Sequence, residues 1–97
     1  MTETDLKVMF REWLKEQGAY FFSPVQTGYG KRSVDDLICF RGRFIAAEAK
    51  RPGKYKDPWQ GCTGIQKICL HDVSSAGGTA FAYDDFETAV RIVSRLG

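Results

Sequence analysis

The sequence is short of the residues from which many catalytic and membrane-spanning proteins are built. It contains a single histidine, His71. No cluster of histidines can therefore hold a metal, and a serine-type triad has little to work with. Its three cysteines, Cys39, Cys62 and Cys69, match no zinc-binding spacing. Their odd number, with no signal peptide, points to reduced thiols in a cytoplasmic protein. Cys39 and Cys69 fall in apolar patterns and read as core residues. No apolar run approaches the length of a membrane span. No tract is biased enough to argue for disorder, and there is no repeat or linker. Charge of one sign is scarce too: fourteen Lys and Arg stand against twelve Asp and Glu, for a net charge of +2. That balance does not by itself announce nucleic-acid binding.

What is present fits one domain spanning residues 1–97. A chain of this length buries a modest core, so oligomerisation would be an ordinary way to gain stability. The charge is unevenly spread. Between Lys31 and Lys67 there are nine Lys and Arg against four Asp and Glu. A locally basic middle is a plausible phosphate-binding surface, although a solvated face would look the same.

The patterning gives seven elements. Leu6, Met9, Phe10, Trp13 and Leu14 recur at helical spacing from about Thr4 to Gln17, with Thr2 or Thr4 as cap and Gly18 as stop. Ala19–Phe22 suits a short strand, and Ser23–Lys31 a loop broken by Pro24, Gly28 and Gly30. Val34–Phe40 and Arg43–Lys50 read as strands joined by a tight turn at Arg41-Gly42. Arg51–Gly61, with Pro52, Gly53, Pro58 and Gly61, should be a loop. A helix follows over Thr63–Ser75, with Ile65, Ile68, Cys69 and Val73 on one face and Gly77-Gly78 at its end. Thr79–Tyr83 reads as a strand. Asp84 or Asp85 caps a last helix that offers Phe86, Ala89, Val90, Val93 and Leu96 to the core. The order helix, strand, strand, strand, helix, strand, helix is an α/β domain with helices flanking a central mixed sheet.

The feature that carries chemistry is Glu48-Ala49-Lys50, at the end of the apolar strand Phe44-Ile45-Ala46-Ala47. Strand side chains alternate, so Glu48 and Lys50 share a face. Burying both is costly unless they are paired or used. If the turn holds two residues, paired positions put Phe40 opposite Arg43, Leu37 opposite Ala46 and Asp35 opposite Glu48. Directly opposed residues have Cβ atoms about 4.5–5.5 Å apart. A three-residue turn or a bulge would favour Asp36 instead. Two carboxylates that close repel unless a cation lies between them, and oxygen ligands select Mg2+ or Mn2+ over zinc. Lys50 would then stabilise charge on a phosphate or position a water. A structural Glu48–Lys50 ion pair is the other reading.

The order Asp35, then Glu48-Ala49-Lys50 thirteen residues on, resembles the PD-(D/E)XK nuclease core. More specifically, the chain resembles the stand-alone VRR-NUC proteins of phages and prophages. The likeness runs through Trp13-Leu14-Lys15, Gly18-Ala19-Tyr20, Pro24 to Lys31, Gly42-Arg43-Phe44, Glu48 to Lys54, and Gln66 ahead of Ala76-Gly77-Gly78. It implies a restriction-endonuclease-like core with Asp35 and Glu48 as metal ligands, the Ala49 carbonyl as a further ligand, and Lys50 as catalytic lysine. It also implies that Gln66 orients the lysine, the water or the phosphate; Gln60 is the competitor, with a poorer distance to Gly77-Gly78. Family members carry a first-helix glutamate that reaches the metal. Glu3, fifteen residues before Gly18, fits that place best, and Glu12 is second. The chain departs from the family in having Val34-Asp35-Asp36 where Pro-Asp is common, and in a longer loop around Lys56-Asp57-Pro58-Trp59-Gln60. Trp59 would stack on a base or, more simply, pack on the surface.

The resemblance further implies a DNA phosphodiesterase that depends on Mg2+ or Mn2+. Its small stand-alone members resemble homodimeric Holliday-junction resolvases, whose two-fold symmetry suits a four-way junction. Lys31, Arg32, Arg51, Lys54 and Lys56 are the expected phosphate contacts, which position DNA without reading bases. The Gly28–Arg32 stretch is not a Walker motif, and no nucleotide cofactor or membrane is expected. Flap or duplex nucleases of the same fold, and a non-catalytic nucleic-acid-binding module, are the alternatives.

Overall fold

The computed structural model describes residues 1–24 and 34–96. Helix α1 spans Glu3–Glu16 and begins in a capping box: the Thr2 hydroxyl accepts from the Asp5 amide while the Asp5 carboxylate accepts from the Thr2 amide. Its apolar stripe buries Leu6, Phe10 and Leu14 completely. Strand β1 (Tyr20–Phe22) follows, then β2 (Asp36–Phe40) and β3 (Arg43–Ala49). Pro58–Gly61 forms a turn of 3-10 helix where only a loop was expected. Asp57 caps that turn through the Trp59 amide. Helix α2 spans Gly64–Ser75, β4 Thr79–Tyr83 and α3 Phe86–Ser94, the last capped by Asp85.

The four strands form one mixed sheet in the order β1-β2-β3-β4, antiparallel except for the parallel pair β3–β4. The hairpin register is the expected one: Phe40 faces Arg43, Leu37 faces Ala46 and Asp36 faces Ala47. Arg41 and Gly42 both have positive φ, +51° and +76°. That is the primed turn that matches strand twist, and it fixes a two-residue loop without a bulge. Glycine at the second position meets no steric penalty there.

Each face of the sheet has its own core. On one, Ile38, Ile45, Ala47 and Ala49 pack under α1 and α3, whose Ala89 and Val93 are buried. Tyr83 lies there against Phe10, with ring centroids 5.0 Å apart. On the other, Val34, Ala46, Cys62 and Leu70 form a smaller cluster beneath α2.

Two expectations fail, and both fail at this second face. Ile65 and Ile68 were placed on the inner face of α2, yet they are 48% and 62% exposed. The buried residue is Leu70, with Cys69 and Val73 packed beside it. The inward stripe is therefore Gln66, Cys69, Leu70 and Val73: Cys69 and Val73 lie inward as expected, and Gln66 and Leu70 take the places expected of Ile65 and Ile68. Cys39, read as core, is exposed. It lies level with Tyr20 and Phe44, which are exposed as well, because α2 packs over β3 and β4 and not over this part of the sheet.

Gly78 joins α2 to β4 at a close approach. A Cβ there would lie 2.9 Å from the Phe44 carbonyl oxygen and 2.8 Å from Val73 Cγ1. Gly78→Ala should therefore cost about 1–3 kcal/mol through overpacking against backbone, read as a lower urea midpoint. A midpoint equal to wild type would show that this junction tolerates the methyl group.

Candidate active site

The site lies where β2 begins and β3 ends. Glu48 is the penultimate residue of β3 and lies on the α2 side of the sheet, 2% exposed. Lys50 follows two positions on; its own amide donates to the Tyr83 carbonyl at 2.8 Å, which carries the β3–β4 pairing one step beyond the strand. Its side chain turns to the same side as Glu48, with Nζ 3.4 Å from Glu48 Oε2.

Asp35 sits in a bend just ahead of β2, opposite Glu48 in the continued register. The two acids interlock through the backbone. The Asp35 amide donates to Glu48 Oε1 at 3.0 Å, and the Ala49 amide donates to Asp35 Oδ2 at 2.9 Å. Both carboxylates are thus held before any ligand arrives.

A third acid reaches them from the other side of the molecule. Carboxylate oxygens of Glu3, Asp35 and Glu48 lie within 4.8 Å of one another. Glu3 is the first residue of α1, ahead of the buried Leu6, Phe10 and Leu14 that seat the helix. Of the two first-helix candidates, Glu3 is the one brought to the cluster. Glu12 is exposed and its contact is with Lys15.

Asp36 has a different environment, although it is the next residue. It faces the α1 side and is fully buried. Its Oδ1 accepts from Arg11 Nε at 2.9 Å and from the Ser23 hydroxyl at 2.6 Å, while Oδ2 has no hydrogen-bond partner among the described residues. Burial pushes its carboxyl above the usual range, against the pull of Ser23 and Arg11. Arg11 also reaches the Asp35 carbonyl at 3.5 Å. Asp36 is thus a strut beneath Asp35 and lies outside the acid trio.

Gln66 completes the inner side. Its Oε1 accepts from Lys50 Nζ at 3.0 Å and from the Thr63 amide at 2.9 Å, while its backbone amide donates to the Thr63 hydroxyl at 3.2 Å. One side chain therefore closes the capping box of α2 and holds the lysine. This explains the rotation of α2: the stripe that turns Gln66 inward leaves Ile65 and Ile68 outside. The competing Gln60 is exposed on the 3-10 turn.

Glu48 feels all of this. Burial first, and then the negative charge of Asp35, push its carboxyl up to about 8, with Lys50 pulling the other way. Three carboxylates clustered in partial burial form a hard-oxygen donor set that fits a divalent cation such as Mg2+, Mn2+ or Ca2+, and does not favour zinc.

The expected phosphate contacts divide. Arg51, Lys54 and Lys56 are exposed on the loop that leaves Lys50. Lys31 and Arg32 lie outside the described residues, as does the glycine-rich stretch around them. Trp59 is 41% exposed, with Lys67 Nζ 5.9 Å from its ring centre. Two side chains at the site had not been expected from the sequence. They are Lys7, whose Nζ is 3.1 Å from Asp35 Oδ1, and Arg11 beneath it. Their signal was present as positions 3, 7 and 11, a charged row at helical spacing along the buried stripe.

Comparison with solved structures puts a name to this architecture. A chain described as a VRR_NUC domain superposes with a TM-score of 0.75 over 100% of both chains, at 15% sequence identity. The chain has the VRR_NUC fold. At that identity the likeness resides in the path of the chain, and it accounts for the mixed sheet with helices on both faces. No protein-family model matches the sequence, and no curated protein matches it. Among the described residues no helix is long and apolar enough to cross a membrane.

Proposed function

We propose that this chain is a metal-dependent DNA endonuclease that hydrolyses phosphodiester bonds, acting as a homodimer on branched DNA such as the four-way Holliday junction. The observation that carries the reading is the convergence of Glu3, Asp35 and Glu48 on one point with Lys50 Nζ beside them. A non-catalytic binding module ranks lower because Asp35, Glu48, Lys50 and Gln66 are all present in the chain. The VRR_NUC fold and the family resemblance of the ordered motifs support the nuclease class. The resemblance to resolvases supports the junction and the dimer.

Glu3, Asp35 and Glu48 would hold a Mg2+ or Mn2+ ion, with the Ala49 carbonyl as a fourth donor. Such an ion polarises a phosphoryl oxygen and lowers the pKa of water. The chain's own residues do the rest. Lys50 presents its ammonium, fixed by Gln66 and Glu48, to the non-bridging oxygens of the scissile phosphate, where negative charge grows as water attacks phosphorus and the bond to the leaving oxygen breaks. Arg51, Lys54 and Lys56, joined by Lys31 and Arg32, neutralise flanking phosphates and set the duplex against the site.

Purified protein with Mg2+ or Mn2+ should cleave a four-way junction in preference to a flap or a linear duplex of the same sequence. Equal rates on all three would remove the junction and leave a general nuclease. No cleavage of any of them would remove the enzyme.

Cation binding should depend on pH with a defined sign. Glu48 must ionise to hold the ion, so below about 8 each binding event releases a proton. Affinity climbs as pH is raised toward about 8 and levels off above it. Folding without the ion follows the opposite sign. A carboxyl raised from 4.5 to about 8 adds stability that is complete below 4.5 and lost as pH rises through 8. Calorimetric titration with Mg2+ at several pH values reads the first effect directly, and an affinity that ignored pH would contradict it.

A further inference from the structure

Lys7 has no part in the chemistry above, yet its ammonium pairs with a member of the acid cluster. It stands one turn after Glu3 on α1, so the two side chains leave the same flank of the helix. Its Nζ lies 3.1 Å from Asp35 Oδ1, and the pair is largely shielded, with side chains 25% and 15% exposed. The choice of oxygen matters. Asp35 Oδ2 is already taken by the Ala49 amide, and Glu48 Oε1 by the Asp35 amide. Of the two carboxylate oxygens not taken by these amides, Glu48 Oε2 faces Lys50 and Asp35 Oδ1 carries the ammonium of Lys7.

We infer that Lys7 is an internal counter-cation that competes with the divalent ion for Asp35. This rests on the reading of Glu3, Asp35 and Glu48 as a metal site. Without the ion, Asp35 is crowded by two further carboxyl groups and is repelled by whichever of them is ionised, and the acid that Lys50 pairs with is Glu48. Lys7 offsets that repulsion at Asp35, while Lys50 pairs with Glu48, and so keeps Asp35 in place. When the ion binds, two cations cannot share Oδ1 closely, so the ammonium must withdraw, and the ion binds more weakly than the donor set alone allows. Withdrawn but still tethered to α1, Lys7 is a positive charge beside the site where a substrate phosphate arrives.

Direct binding of Mn2+ in the absence of DNA, measured by electron paramagnetic resonance of the free ion, tests this. Lys7→Met and the polar Lys7→Gln should both bind Mn2+ roughly 3- to 10-fold more tightly than wild type at low salt, the size expected for removing one competing charge from a partly shielded site. Lys7→Arg should stay near wild type. The gain should shrink as ionic strength rises. In the same variants the midpoint of thermal unfolding should fall without Mn2+ and recover with it, which also shows that they fold. Affinity in Lys7→Met and Lys7→Gln equal to or weaker than wild type, with wild-type binding intact, would overturn the role of Lys7 alone. Failure of wild type to bind Mn2+, or binding that survives Asp35→Asn, would overturn the metal site and this inference with it.

Discussion

Lys50→Ala should retain divalent-ion binding and lose cleavage by about 10²–10³-fold, the usual cost of removing one preorganised donor from developing charge. The two readouts separate because Lys50 is not among the three carboxylates that converge on the ion's place. Its ammonium lies 3.4 Å from Glu48 and 3.0 Å from Gln66. Removing it takes away the cation that faces Glu48, so ion binding should hold or tighten while turnover collapses. Gln66→Ala should show a weaker form of the same pattern, because the lysine remains but swings free. The bond that its Oε1 accepts from the Thr63 amide is lost with it, at about 1 kcal/mol in stability, while the backbone half of the capping box stays. Full cleavage in Lys50→Ala would refute the site. Loss of ion binding in Lys50→Ala would make the lysine a structural partner of Glu48 and remove it from the chemistry.

The part of this site that could be read from the sequence is the part that depends on local rules. Arg41-Gly42 fixes a two-residue turn, the turn fixes the register, and the register sets Asp35 against Glu48 with Lys50 on the same face. Each step spans fewer than about twenty residues and has one dominant cause. What the sequence did not yield depends on how whole elements are rotated and tilted against each other. Ile65 and Ile68 looked like a buried face because they are apolar at helical spacing, yet Gln66 is held by Lys50 and turns the helix the other way. Alternation alone cannot tell that α2 leaves Cys39, Tyr20 and Phe44 uncovered. Lys7 and Arg11 went unnoticed because charged residues beside an apolar stripe are ordinary on a surface helix. Their partners lie 28 and 25 residues away, reachable only once α1 is laid across the sheet. The family resemblance supplied Glu3 for a reason periodicity could not, since a glutamate in a first helical turn is explained equally well by the helix dipole.

Adjacent aspartates with opposite fates give the second large effect. Asp36→Ala should destabilise the fold by about 3–5 kcal/mol, the cost of losing two hydrogen bonds to a buried carboxylate and leaving Ser23 and the part-buried Arg11 without their acceptor. For a domain of 97 residues this lowers the unfolding midpoint by more than about 12 °C. The carboxylate it removes is fully buried and anchors Arg11 and Ser23 together. Asp35→Asn should do the reverse. The amide oxygen can still accept from the Ala49 amide, and the charge that crowds Glu48 is gone, so the ion-free midpoint stays within a few degrees of wild type. Ion binding, however, should be lost, and cleavage with it. Thermal melts with and without Mn2+ read both variants in one experiment: Asp36→Ala lower in both, Asp35→Asn unchanged without the ion and unresponsive to it. The opposite assignment, with Asp36 holding the ion and Asp35 bracing the fold, would exchange the two curves. It would mean that the one-residue register at Arg41-Gly42, on which the geometry of the site depends, is shifted in the working protein.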